Sequence, residues 1–350
     1  MEIPLIPDLN NPKWLIVQEI LKTIGSKRSQ KIASRLKIQD ISIFIDCIKI
    51  LILADTFERD YSYVISEINM NSKLKSFMKL KKVPEIDYLY KFISKLENSQ
   101  LNTYFRNIFK TSSNTHKKGR RYVIIDSSSI PIDINTWRKR YKIGRDKKYK
   151  WSHSSSEGYY VGYKVILAID ALTFEVLGFD ILEGSPNDAK LLEKFVEKLC
   201  NSRKVRMGDF IMCDRGFTSK INYHILISRF LLVPMIFARK NTDVKRILST
   251  LTPPISIWDG KKYLLNIWKK IVKEFVEILE IWPVFRELRS NIELFFNVAK
   301  NCVRLNKVHQ FTKESVEKKI IRAFHLTYEL IRTSKSFNIG VRKLAKLFLY

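Results

Sequence analysis

Two carboxylates in this chain stand where a charge is costly. In FIMCDRGF (210–217) an apolar run leads directly to Asp214, and in YVIIDSSS (122–129) the same grammar ends on Asp126. A continuous apolar run of this kind reads as a strand covered on both faces. A carboxylate there needs a cation, a base or solvent, because burying it unpaired costs several kcal/mol. One such run, taken alone, reads as a strand entering a turn, since Asp is a frequent turn residue. Two of them place carboxylates at the carboxyl edge of an α/β sheet, where ligands commonly sit. If the two strands are neighbours, the like charges call for a divalent cation between them. Gly216 then reads as the bend that frees the strand end.

A third carboxylate comes from the helical pattern RELRSNIELFFNVAKNCVRLN (286–306). At about 100° per residue, Arg289, Glu293 and Lys300 fall within roughly 40° of one another, and Leu288, Ile292, Phe295, Ala299 and Cys302 gather roughly 120° away. An exposed i,i+4 ion pair has the same appearance. Together with the two strand carboxylates, the row forms a set of hard oxygen ligands without His or Cys, which suits Mg²⁺ or Mn²⁺. Two such ions about 4 Å apart activate an attacking hydroxyl and stabilise a leaving oxygen in phosphodiester displacement. Arg289 and Lys300 would neutralise phosphate beside them.

The third chemical signal is the loop WRKRYKIGRDKKYKW (137–151), with eight Lys or Arg against one Asp. Arg138, Lys139, Arg140 and Lys142 suit phosphate contacts, while Trp137 and Tyr141 are placed to stack on bases or distorted DNA ends. The whole chain repeats the bias: 63 Lys+Arg against 35 Asp+Glu give a net charge of +28, and such an excess implies a polyanionic partner, most simply nucleic acid.

The elements that must position these groups follow from pattern. A chain of 350 residues, 45% hydrophobic and 28% charged, is globular and long enough for two or three domains. Residues 1–118 read as a helical DNA-binding region, with apolar positions at three-four spacing and a weak helix-turn-helix pattern over 29–44. After the polar segment 110–121 the pattern becomes three strands, a helix, a strand, a helix and a strand, with 158–171 and 173–182 forming a hairpin. This order predicts an α/β domain with a mixed sheet flanked by helices over 119–305. Residues 238–280 are expected to form an insertion whose latter half is open between strand and helix, and 306–350 a basic helical tail. The four cysteines (Cys47, Cys200, Cys213, Cys302) lie far apart, as expected of reduced thiols in a cytoplasmic protein. The most apolar stretch, 41–57, is interrupted by Asp46 and Lys49 and reads as a buried helix. Met1-Glu2-Ile3-Pro4 lacks a signal-peptide pattern, and with 41–57 read as a buried helix no membrane association is expected.

In order and spacing, IIDSS, the stretch from GYYVGYKVILAIDA to SPNDAKLL, CDRGF, and R-x3-E-x6-K in RSNIELFFNVAK resemble the DDE transposases of bacterial and archaeal insertion sequences, over about residues 120–305. The resemblance implies a ribonuclease-H-like catalytic domain, with Asp126, Asp214 and Glu293 as the metal-binding triad and Arg289 and Lys300 holding the element end. It implies Mg²⁺- or Mn²⁺-dependent cleavage at terminal inverted repeats and joining of the 3′-hydroxyl to target DNA. A homodimer bridging two ends, associated with the nucleoid, is implied as well. Where the family often carries a Tyr three residues before the Arg, this chain has Arg286. Trp258 and Trp268 fall within the segment where the family has a β-rich insertion. Two other readings stay open at this stage: a structure-specific nuclease of the same fold that cleaves without joining, and a non-catalytic DNA-binding relic.

Overall fold

Three buried β-branched residues in succession, Val123, Ile124 and Ile125, make the strand about which the sheet is built, because successive side chains point to opposite faces and only a strand covered on both faces buries such a run completely. The computed structural model describes residues 4–110, 119–133, 151–154, 158–236, 243–254, 262–306, 308, 310 and 312–349. Among these the helices α1 (Pro12–Ile24), α2 (Lys27–Arg35), α3 (Ile41–Thr56), α4 (Tyr61–Met70), α5 (Ser72–Met78), α6 (Ile86–Lys95) and α7 (Asn98–Ile108) come first. Then follow β1 (Tyr122–Pro131), β2 (Trp151–Ser154), β3 (Gly158–Asp170), β4 (Val176–Glu183), α8 (Asp188–Asn201), β5 (Phe210–Cys213), α9 (Lys220–His224, extended as a π turn through Arg229) and β6 (Val233–Ile236). The chain finishes with α10 (Val244–Leu248), α11 (Tyr263–Ile281), α12 (Arg286–Arg289), α13 (Asn291–Cys302), α14 (Lys313–Ser336) and α15 (Val341–Leu349).

The chain divides into two compact units, one of residues 1–112, 132–143 and 294–350, the other of 113–131 and 144–293. The second unit holds the six-stranded sheet, in the order β2-β3-β1-β5-β6 with β4 also paired to β3. β3 runs antiparallel to β1 and β4 antiparallel to β3, whereas β5 and β6 run parallel to β1. This is the ribonuclease-H-like mixed sheet implied by the resemblance, and the expected hairpin is β3–β4.

Two devices set the register around β1. Asp209, 3% exposed, accepts hydrogen bonds from the backbone N–H groups of Arg121 and Arg206 at 2.9 and 2.8 Å, fastening the chain just ahead of β1 to the chain just ahead of β5. On the other edge, β3 comes so near β1 that a Cβ at Gly162 would lie 2.2 Å from the Ile130 carbonyl oxygen, so this position admits only glycine without a shift.

The structure departs from the sequence reading at some points and resolves what it left open at another. β1 does not end at Asp126 but continues to Pro131, because Ser127–Ser129 pair with Lys164–Ile166 of β3. The helix expected over 286–306 is broken at Ser290 into α12 and α13. The segment left open between strand and helix is the 19-residue α11, which buries Leu264, Ile271, Phe275 and Ile278, a helical spacing.

In the first unit α14 carries 17 buried residues, so the C-terminal helix that the sequence pattern set apart as a basic tail is a core element there. It is tied to α3 by a buried cluster: Lys319 and Arg322 reach Asp55 at 2.7 and 2.9 Å, and Arg322 also donates to the Tyr61 hydroxyl at 2.8 Å. Burial alone would raise the Asp55 carboxyl, but the two cations outweigh it and hold it below the usual carboxylate range. No helix among the described residues is long and apolar enough to cross a membrane.

Candidate active site

Asp126 and Asp214 are brought level by strand pairing. β1 and β5 are parallel neighbours with Ile125 opposite Cys213, so the next residue on each strand is the carboxylate. Adjacent strands lie about 4.8 Å apart, which makes these two groups close like charges. Each is steadied by its own backbone: Asp126 Oδ1 accepts from Ser127 N at 2.8 Å and Asp214 Oδ1 from Gly216 N at 2.7 Å. The second bond caps the short 3₁₀ turn Arg215–Phe217, so Gly216 serves Asp214 directly.

The helical pair comes to the same place. Arg289, in the last turn of α12, donates from Nη2 to Asp126 Oδ2 at 3.3 Å and from Nη1 to Glu293 Oε1 in the first turn of α13. The arginine therefore stands between two of the three expected carboxylates. Glu293 is 58% exposed on its side chain, while Arg289 and Asp126 are each 16% exposed. The start of α13 is anchored by Asn291, whose Nδ2 donates to the Ala171 carbonyl at 2.9 Å, in the turn between β3 and β4. The apolar row of α13 behaves as its spacing predicts, with Ile292, Phe295, Ala299 and Cys302 buried. Lys300 lies about two turns beyond Glu293 on the same helix and is half-buried.

Asp126 carries the electrostatic burden of this arrangement. Burial is the largest cause pushing its pKa up to about 7; Arg289 and the Ser127 N–H pull it down, while Asp214 and, more weakly, Asp188 push it up. The set of donors is all carboxylate oxygen, and Asp126 stands buried beside the like charge of Asp214, so the residue types fit a divalent cation. Among the described residues no three His, Cys, Asp or Glu side chains close on one point. Arg289 also keeps a buried Nε without a hydrogen-bond partner.

Asp188 is the group that sequence reasoning missed. It opens α8, capped by Asn187, and its carboxylate pairs with Lys164 of β3 at 2.8 Å. A methyl group placed on Gly216 would meet Asp214 Oδ1 at 2.9 Å and Asp188 Oδ2 at 3.5 Å, so both carboxylates flank that glycine. Its only signal in the sequence was an acidic residue in a helix first turn, which ordinary capping explains.

The basic aromatic loop, with Trp137, Arg138, Lys139, Arg140, Tyr141 and Lys142, lies outside the described residues, as does Trp258. Trp268 is half-buried in α11, with Nε1 3.5 Å from the Ser228 hydroxyl. The four cysteines are free thiols, three of them buried; burial and the adjacent Asp214 push the Cys213 thiol up, keeping it an inert core group.

Comparison with known proteins gives one family match: the transposase DDE domain, over residues 117–328. Among solved structures, the cryo-EM structure of a piggyBac transposase synaptic complex with hairpin DNA is similar at 11% identity, with 98% of this chain and 79% of that chain covered and a TM-score of 0.46. No curated protein matches.

Proposed function

The chain belongs to the transposase DDE-domain family, and from that premise we propose that it cleaves DNA at the ends of its element and joins the freed 3′-hydroxyls to target DNA by two-metal-ion phosphoryl transfer. The observation that supports this reading best is the level placement of Asp126 and Asp214 on adjacent parallel strands, with Arg289 linking Asp126 to Glu293. In the proposal Asp126, Asp214 and Glu293 hold Mg²⁺ or Mn²⁺, which when bound supplies activation of the attacking oxygen and stabilisation of the leaving one.

The chain's own residues do the rest. The sheet presents Asp126 and Asp214 at a fixed spacing, so no side-chain rearrangement is needed to offer two carboxylates. Arg289 moves from balancing carboxylates to contacting phosphate, and its unpaired Nε is a donor in reserve for that oxygen-rich ligand. Lys300, together with Trp137, Arg138, Lys139, Arg140, Tyr141 and Lys142, holds the double-stranded element end and target. A homodimer brings two inverted repeats together, and the protein works with DNA in the cytoplasm, at the nucleoid.

The test uses the full chain, DNA carrying the sequences that flank its own gene, and Mg²⁺ or Mn²⁺. Asp126→Asn, Asp214→Asn and Glu293→Gln are each expected to lower cleavage by at least about 100-fold, as ligand loss should exceed the effect of losing a supporting residue. Undiminished cleavage by any one of them removes that residue from the triad. Cleavage without joining would point to the nuclease, and metal-independent binding alone to the non-catalytic protein.

A further inference from the structure

Asp214 sits where β5 gives way to a three-residue 3₁₀ turn, and so short a turn fixes a carboxylate only as firmly as its own backbone is held. The bond from Gly216 N is internal to the turn. The external hold comes from Asn222 in α9, whose Nδ2 donates to the Phe217 carbonyl at 2.8 Å and to the Ala189 carbonyl at 3.0 Å. Phe217 closes the Asp214 turn and Ala189 follows Asp188 in α8, so one amide nitrogen ties together the two segments that carry the carboxylates flanking Gly216. Asn222 is 3% exposed. A buried amide that gives both N–H groups to main-chain carbonyls of two separate segments ties their spacing to its own short side chain. Lys164 holds the α8 segment from the other side, donating to the Pro186 carbonyl at 3.0 Å and pairing with Asp188 at 2.8 Å.

Resting on the transposase reading, we infer that Asn222 is a positioning residue for Asp214: it touches neither metal nor DNA, but holds the turn that aims the carboxylate, and Lys164 completes the frame. Asn222 then serves divalent-cation binding in the way that outer residues orient first ligands elsewhere.

The experiment is a Mn²⁺ titration of the full chain without DNA, followed by electron paramagnetic resonance, on wild type, Asn222→Leu and Asp214→Asn, with thermal melts in chelator alongside. Asn222→Leu is expected to weaken Mn²⁺ binding about 10- to 100-fold while still melting cooperatively. A folded Asn222→Leu protein that binds Mn²⁺ like wild type overturns the inference. Asp214→Asn separates the two levels: if it also binds like wild type, the metal reading of the site fails, whereas if it loses binding and Asn222→Leu does not, only the positioning role fails. Should Asn222→Leu not fold, Asn222→Ser, which keeps one donor, is read in its place, and unaltered affinity there counts against the inference equally.

Discussion

Replacing Asp126 by Asn should stabilise the metal-free protein at pH 8 and change it little at pH 4. The carboxyl is pushed up to about 7 in the folded chain, chiefly by burial, against about 4 when unfolded. Three units at about 1.4 kcal/mol each correspond to roughly 4 kcal/mol. The sign follows from proton counts: between those two values the folded state binds the proton and the unfolded chain does not, so stability is fully present below pH ~4 and is lost as pH rises through ~7. Asparagine carries no ionisable proton there. The pull of Arg289 is already part of that raised value, and an asparagine Oδ1 still accepts its N–H, so roughly 4 kcal/mol is the gain expected at pH 8. Urea unfolding in EDTA at pH 5 and pH 8 measures it, and the gap between the proteins should widen by about 2.5 kcal/mol over that range. Added Mn²⁺ should narrow the gap, since at a hundred times its dissociation constant a ligand that binds only the folded wild type contributes about 2.7 kcal/mol. A gap that is the same at both pH values, or a variant less stable at pH 8, would refute the reasoning.

Other expectations can be checked with the same unfolding assays. Gly162→Ala forces a methyl to 2.2 Å from the Ile130 oxygen and should lose about 3 kcal/mol through overpacking between β1 and β3; an unchanged melting temperature would contradict that close approach. Asp55→Asn leaves Lys319 and Arg322 buried with a neutral partner and should lose about 3–5 kcal/mol at neutral pH. Because Asp55 lies below the usual carboxylate range, its contribution is whole above pH ~4 and disappears as pH falls through the depressed value, so variant and wild type should converge in strong acid. Asp209→Ala frees two backbone donors and should lose about 1–3 kcal/mol, with cleavage falling further than Asp55→Asn makes it fall at equal residual stability.

What was legible in the sequence was what depends on local pattern. YVII and FIMC are apolar without a break, and a strand covered on both faces is the arrangement that suits them, so Asp126 and Asp214 stood out as charges in the wrong company. Arg289 and Glu293 were legible as neighbours because four residues make about one helical turn. The length of β1 was hidden because Ser127–Ser129 carry no strand signal; main-chain pairing to β3 keeps them extended. α11 was ambiguous because its β-branched and aromatic residues satisfy either period over short windows. Asn222, Asp188 and Lys164 were out of reach for a different reason: what they do depends on carbonyls and a carboxylate brought near by the fold, and no spacing along the chain records that.

The bond pair on Asp209 has a consequence for how such a protein can change over time. Tyr122 to Asp126 and Phe210 to Asp214 are both four steps, counted from starting points that Asp209 pins side by side. Inserting or deleting residues in the helices ahead of Arg121, or in the connection between β4 and α8, leaves that count untouched. A single residue added inside either four-step run would turn one carboxylate to the opposite face of the sheet. Changes of length in those flanking segments therefore leave the two carboxylates level with one another, whereas a change of length inside either short run does not.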